Sequence, residues 1–185
     1  QGHAVAAAAI QRGASVSLIT TVDLPAPVGV ELVRVETTAQ MQDALNARAS
    51  AADVVIMAAA VADFRPVQSA ESKLKKSAGI PKVELEPTPD LLAELGQNKP
   101  TGMTLVGFAA ETENLEVNAS DKLVRKNLDL IVANDVSAPN VGFAYDTNSV
   151  LILGRNGERK AVELAPKASV AHAILDSVVA HRAAR

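Results

Sequence analysis

Cysteine is absent from this 185-residue chain, and with it go disulfides, thiolate zinc sites and any cysteine nucleophile. That absence fits a reducing, cytoplasmic setting. Tryptophan is absent too, and the aromatic residues are Phe64, Phe108, Phe143 and Tyr145. The core must therefore be built from Ala, Val, Leu and Ile. Each aromatic falls at or just past an apolar run, where it either plugs the end of a sheet or lines a pocket there. No apolar run reaches the roughly 18 residues of a membrane span. No basic, then apolar, then small-residue leader opens the chain. Nor is there an excess of positive charge. The formal net charge is −3 and the pI near 5.6, which argues against a nucleic-acid binder.

What is present is an ordinary globular composition, 48% hydrophobic and 21% charged, in a length that suits one domain over residues 1–185. Residues 5–11 are Ala-rich and helical in propensity, with Gly13 placed as a C-cap. Residues 15–20 and 31–36 read as strands. Thr38 can cap the next helix, whose Met41, Ala44 and Leu45 fall at helical spacing. Residues 53–58 are short, apolar and β-branched, as in a parallel strand buried on both faces. Residues 82–86 alternate, and Thr88-Pro89-Asp90 marks a helix start. A strand over 103–108, a charged helix over 114–126 and a buried strand over 128–133 follow. Strands 149–153 and 160–164 flank the hairpin signal Asn156-Gly157, and an amphipathic helix closes the chain over 166–181.

This alternation predicts an α/β fold: a Rossmann-like, doubly wound, mainly parallel sheet with an antiparallel edge hairpin. Residues 66–87 are polar and irregular, suited to a flap or dimerisation arm. The opening segment resembles the helix and second strand of a dinucleotide-type βαβ unit without the first strand and glycine-rich loop. The expectation is a slot in the sheet, with phosphate contacts carried by residues upstream of Gln1.

Five constellations could carry chemistry, each with a structural alternative. Residues 58–66 (AAAVADFRP) follow a buried strand, where open α/β sheets bind ligands. Small residues there admit a planar ring or a ribose, and Asp63 offers a carboxylate to a hydroxyl or a metal; alternatively this is a tight turn with Asp63 paired to Arg65. The lysines of 73–76 (KLKK) could neutralise a triphosphate, or form a solvated face. In 105–112 (LVGFAAET) Phe108 could stack on a base or plug the core. Lys122 and Lys126 share one helix face and could cradle phosphates or hold a base edge, or simply complement the helix C-terminus. Residues 133–137 and 143–148 are rich in hydrogen-bonding side chains, which turn chemistry explains nearly as well. The histidines say little: His172 and His181 read as surface or packing residues, and His3 lies near the expected loop.

In order along nearly the whole chain, these segments resemble phosphopantothenate–cysteine ligase, the second activity of the bacterial bifunctional coenzyme A biosynthesis flavoprotein. The resemblance implies that CTP activates the carboxylate of 4′-phosphopantothenate as an acyl-cytidylate, releasing pyrophosphate. The amine of L-cysteine then displaces CMP. It implies magnesium to shield the triphosphate, a homodimer with the site near the subunit interface, and fusion to or association with a flavin-dependent decarboxylase, with no flavin in this domain. By the family pattern Lys73 acts at the reacting phosphate. Met57, Ala58, Ala59, Asp63, Lys73, Pro89, Asp90, Leu91, Leu92, Phe108, Lys122 and Lys126 line the CTP site, with Asp63 the candidate metal ligand.

Two rivals share the fold pattern. A nicotinamide-dependent reductase of the short-chain type needs Tyr-x-x-x-Lys, but Tyr145 is followed four residues later by Ser149. A non-catalytic nucleotide-binding or dimerisation module is the other.

Overall fold

The computed structural model describes residues 1–68, 82–111, 113–135 and 145–185. Its elements run α1 (Gly2–Gln11), β1 (Ser17–Thr20), β2 (Glu31–Arg34), α2 (Thr38–Ala49), β3 (Val54–Met57), β4 (Phe64–Pro66), β5 (Leu85–Pro87), α3 (Leu91–Gln97), β6 (Thr104–Glu111), α4 (Leu115–Arg125), β7 (Leu130–Asp135), β8 (Thr147–Gly154), β9 (Arg159–Pro166) and α5 (Lys167–Ala183). None of these helices is long and apolar enough to cross a membrane.

The main sheet has five strands in the order β3-β6-β7-β8-β9. The first three run parallel, and β8 and β9 add the antiparallel hairpin. Gly157 turns that hairpin at φ +86°, a conformation glycine adopts without penalty. Side chains alternate between two cores, as buried strands require. Val106, Val132 and Ile152 pack with Val5 of α1 and Val170 and Ile174 of α5. Leu105, Ile131 and Leu151 face the other way, against Leu92 and Leu95 of α3 and Leu123 of α4. Helices thus cover both faces of a mainly parallel sheet, as the alternation predicts.

The parallel pair β1-β2 stands as a separate sheet, with no ladder bond to β3. Val54–Met57 are each only half-buried, whereas Leu130, Ile131 and Val132 are 0% exposed. This is where the expected slot would fall.

Local chemistry shifts several boundaries. Thr37, not Thr38, caps α2: its hydroxyl accepts from Gln40 N–H, and Gln40 Oε1 accepts from Thr37 N–H in return, a full capping box. Asp90, not Thr88, caps α3 by accepting from Ala93 N–H at 3.0 Å. The Thr88 hydroxyl instead donates to the Ala62 carbonyl. Strand β4 was not anticipated; it pairs antiparallel with β5 and places Arg65 against Glu86 at 2.7 Å, so the alternative of an Asp63–Arg65 pair is not made.

One buried acid organises the base of the sheet. Asp129 is 4% exposed, and its carboxylate accepts from Leu105 N–H and Lys99 Nζ, both at 2.8 Å, and from Arg185 Nη2 at 2.6 Å. His181 of α5 is buried beside it, its Nε2 3.7 Å from Oδ1. Burial alone would raise this carboxyl's pKa. The hydrogen bonds from Lys99 and Leu105, with the charges of Lys99 and Arg185, overcome burial and hold it below its ordinary value.

Asp129→Ala should therefore cost about 3 kcal/mol or more at neutral pH, because it strands buried donors. A lowered folded pKa contributes stability above the unfolded value and loses it as pH falls through the folded one. In urea unfolding, the gap between wild type and variant should be full at pH 7 and shrink below about pH 4.

Candidate functional site

The parallel strands end along one edge, and most of the described candidate residues gather there. Met57 closes β3, and Ala58 and Ala59 begin the loop that leads to Asp63. Two hydrogen bonds tie that loop to the start of α3: Thr88 N–H donates to the Asp63 carbonyl at 2.9 Å, and the Thr88 hydroxyl to Ala62. Pro89 lies between this clasp and the Asp90 cap. Leu91 is buried against Met57 and Val61, and Leu92 packs under the sheet. Residues 57–59, 63 and 89–92 therefore form one continuous wall.

Helix α4 supplies the cationic side. Asn118, Lys122 and Lys126 follow at one-turn intervals and are all part-buried, while Val117, Asp121 and Val124 face solvent. Lys126 Nζ meets Asp90 at 2.8 Å and 3.0 Å, and Lys122 Nζ meets Glu111 Oε1 at 2.5 Å. Neither lysine is a free surface charge. Burial would raise the Asp90 and Glu111 carboxyls, but their lysine partners, helped by Ala93 N–H and by Asn118 respectively, hold both below the ordinary range. The two acids are thus ionised at neutral pH, and each lysine keeps N–H donors for a ligand.

The lysine row is held in place by a backbone contact absent from the sequence reading. Gly96 of α3 lies so close to the end of α4 that a Cβ there would sit 1.9 Å from the Lys126 carbonyl. Asn127 Nδ2 donates to the Gly96 carbonyl at 2.7 Å. A buried glycine inside a short helix was the available signal.

Other candidates fall elsewhere. Phe108 packs half-buried in the core between the sheet and helices α1 and α5, on the face opposite Leu92 and α4. The start of α1 does approach the wall, for a Cβ on Gly2 would lie 3.9 Å from that of Ala58. Beside it, Gln1 Oε1 and His3 Nε2 are buried without a hydrogen-bond partner among the described residues. Lys73, with the rest of 73–76, Ser137 and Phe143 lie outside the described residues. Asp63 is exposed, and no three His, Cys, Asp or Glu side chains gather as a protein metal cage among the described residues. A single carboxylate would be enough for a magnesium ion that arrived with other oxygen ligands of its own.

A parallel α/β sheet covered by helices on both faces, with polar side chains collected at the carboxyl ends of its strands, is the arrangement in which open α/β folds bind their ligands. A model of the family described as "DNA/pantothenate metabolism flavoprotein C-terminal domain" matches residues 1–181, and the chain belongs to that family. It is 45% identical over 181 residues to the coenzyme A biosynthesis bifunctional protein CoaBC of Bacillus subtilis (strain 168), covering 97% of this chain and 44% of that protein. The chain thus spans less than half the length of that relative. Its fold matches the crystal structure of the C-terminal domain of a CoaBC protein with a TM-score of 0.80 at 36% identity, over 96% of this chain and 79% of the other. A Cab2 mutant in complex with phosphopantothenate-cysteine shares the fold alone, at 23% identity and a TM-score of 0.65, over 83% of this chain and 53% of that one.

Gly96→Ala tests the backbone contact behind the lysine row. The added methyl cannot fit against the Lys126 carbonyl, so unfolding in urea should show a loss of at least about 2 kcal/mol.

Proposed function

We propose that this chain is the phosphopantothenate–cysteine ligase domain of a coenzyme A biosynthesis enzyme, using CTP. The observation that carries this reading is a family match over almost the entire chain, together with the wall of residues 57–63 and 88–92 facing Lys122 and Lys126. The solved complex of a fold relative with phosphopantothenate-cysteine supports the same product class.

In the first step a carboxylate oxygen of 4′-phosphopantothenate attacks the α-phosphorus of CTP. The bond to the β-phosphate oxygen breaks, and pyrophosphate leaves. In the second, the cysteine amine attacks the acyl carbon, the bond to the cytidylate oxygen breaks, CMP departs and the amine gives up a proton. Both partners of the first step are anions, so fixed N–H donors and cations stabilise the charge as it builds. Lys122 and Lys126 hold the nucleotide with N–H donors in ground state and transition state alike. The small side chains of Ala58 and Ala59 let a planar base approach the backbone, and Asp63 would hold magnesium. The ion would shield the triphosphate. Lys73 is assigned to the reacting phosphate on the family pattern.

The active unit is a cytoplasmic homodimer, fused to or associated with a flavin-dependent decarboxylase. The ribbon of β4 and β5 supports a dimer contact. It alternates an ion-paired face, Arg65 with Glu86, with an apolar one on which Phe64 is 61% and Leu85 56% exposed. A two-stranded ribbon with an open apolar face is marginal on its own and gains stability by packing on a partner.

Pyrophosphate release by the natural full-length protein, with magnesium and 4′-phosphopantothenate, should occur with CTP and be sustained only when cysteine is present. A folded enzyme that releases none with any nucleoside triphosphate would sink the ligase reading. Light scattering checks the ribbon: replacing Phe64 and Leu85 together by Ser should halve the particle mass, and an unchanged mass removes the ribbon from the interface.

A further inference from the structure

We propose that Glu111, braced by Asn118, is a positioning residue that holds the Lys122 ammonium at the nucleotide-facing edge of the sheet. The proposal rests on the ligase reading above and assigns a role to two residues outside the expected site set.

Glu111 is the last residue of β6, on the carboxyl edge beside the register position of Asp135. Its side chain is only 13% exposed, and both carboxylate oxygens are engaged. Oε1 accepts from Lys122 Nζ, and Oε2 accepts from Asn118 Nδ2 at 3.0 Å. Asn118 is itself fixed, because the same amide nitrogen donates to the Glu113 carbonyl at 3.0 Å. The chain of restraint therefore runs from backbone to Asn118, from Asn118 to Glu111 and from Glu111 to Lys122.

Asp90 also holds a lysine, but it has a second reason to be acidic: it caps α3 through Ala93 N–H. Among the described residues Glu111 accepts no backbone N–H, and its partners there are side chains of α4. Shielding a carboxylate from water is costly, and an apolar residue would serve stability at least as well there. A half-shielded Lys-Glu-Asn cluster at the ligand-binding edge points to function instead.

The function is order rather than added charge. Lys122 and Glu111 sum to zero, so the pair contributes no net cation to a triphosphate. It contributes direction. A free lysine samples many rotamers, and freezing them on binding weakens affinity; a lysine already held by Glu111 presents its two remaining N–H donors along fixed lines. Positioning of this kind strengthens ground-state and transition-state binding alike, which appears in KM more than in kcat.

The test is a double-mutant cycle in the natural full-length protein, read as KM and kcat for CTP in the pyrophosphate assay. Glu111→Gln removes the charge and one of the two acceptors, and should raise KM for CTP about tenfold with kcat changed less than about threefold. Asn118→Ala should do the same more weakly. In a Lys122→Ala background neither change should move KM further, because Glu111 acts through the lysine. Effects that add to that of Lys122→Ala, or a wild-type KM in both single variants, overturn the proposal. A Glu111→Gln protein that fails to fold shows in its melting temperature, and Asn118→Ala then decides the matter through the same cycle. Absence of CTP-dependent release in the wild type is a separate outcome: it removes the ligase reading and this role with it.

Discussion

The carboxylate of Asp129 is the constraint on which the rest of the architecture leans. It sits below the sheet, where β6 and β7 begin, and draws in a strand amide, the loop after α3 and the end of α5. The Asp129 carbonyl also accepts from Arg155 N–H in the β8–β9 turn. Elements far apart in sequence are thus registered at one end by a single acid, and the residues at the opposite end inherit that registration. A buried charge with both oxygens hydrogen-bonded specifies an arrangement better than an apolar contact of equal size, since few alternatives satisfy it.

The carboxyl edge uses the same device more sparingly. Two lysines one turn apart each have their own carboxylate, and the glycine contact between α3 and α4 holds the helix that carries Asp90 close to Lys126. The resulting surface is nearly neutral but rich in aimed N–H groups. Such a surface selects by geometry, leaving bulk charge neutralisation to other groups.

Much of this was legible in the sequence. The β-branched run of 53–58, the Asn156-Gly157 turn and the charged helix over 114–126 carry their own periodicity, so the parallel sheet and its hairpin could be read directly. So could the lysine pair, because residues four apart share a helix face. Misreadings arose where two neighbours compete for one role. Thr37 and Thr38 both carry a capping hydroxyl, and only the position of Gln40 separates them. Thr88 and Asp90 compete likewise, settled by the clasp to Ala62. Asp129 left no mark, because a single acid beside an apolar strand looks like a strand boundary. Phe108 illustrates the limit of alternation: the residue lies in the expected strand, but its parity sends it to the face of α1 and α5. Gly96 and Glu111 matter through partners about thirty and eleven residues away in sequence, which no local pattern encodes.

The clasp at Thr88 has a consequence for how the site can move. Its two hydrogen bonds tie the loop after β3 to the residues that start α3, and Asp90 at that start is tied to Lys126. A shift of the loop is therefore carried through α3 to the lysine row, so a ligand that seats against Ala58 and Ala59 is felt at Lys126 without touching it.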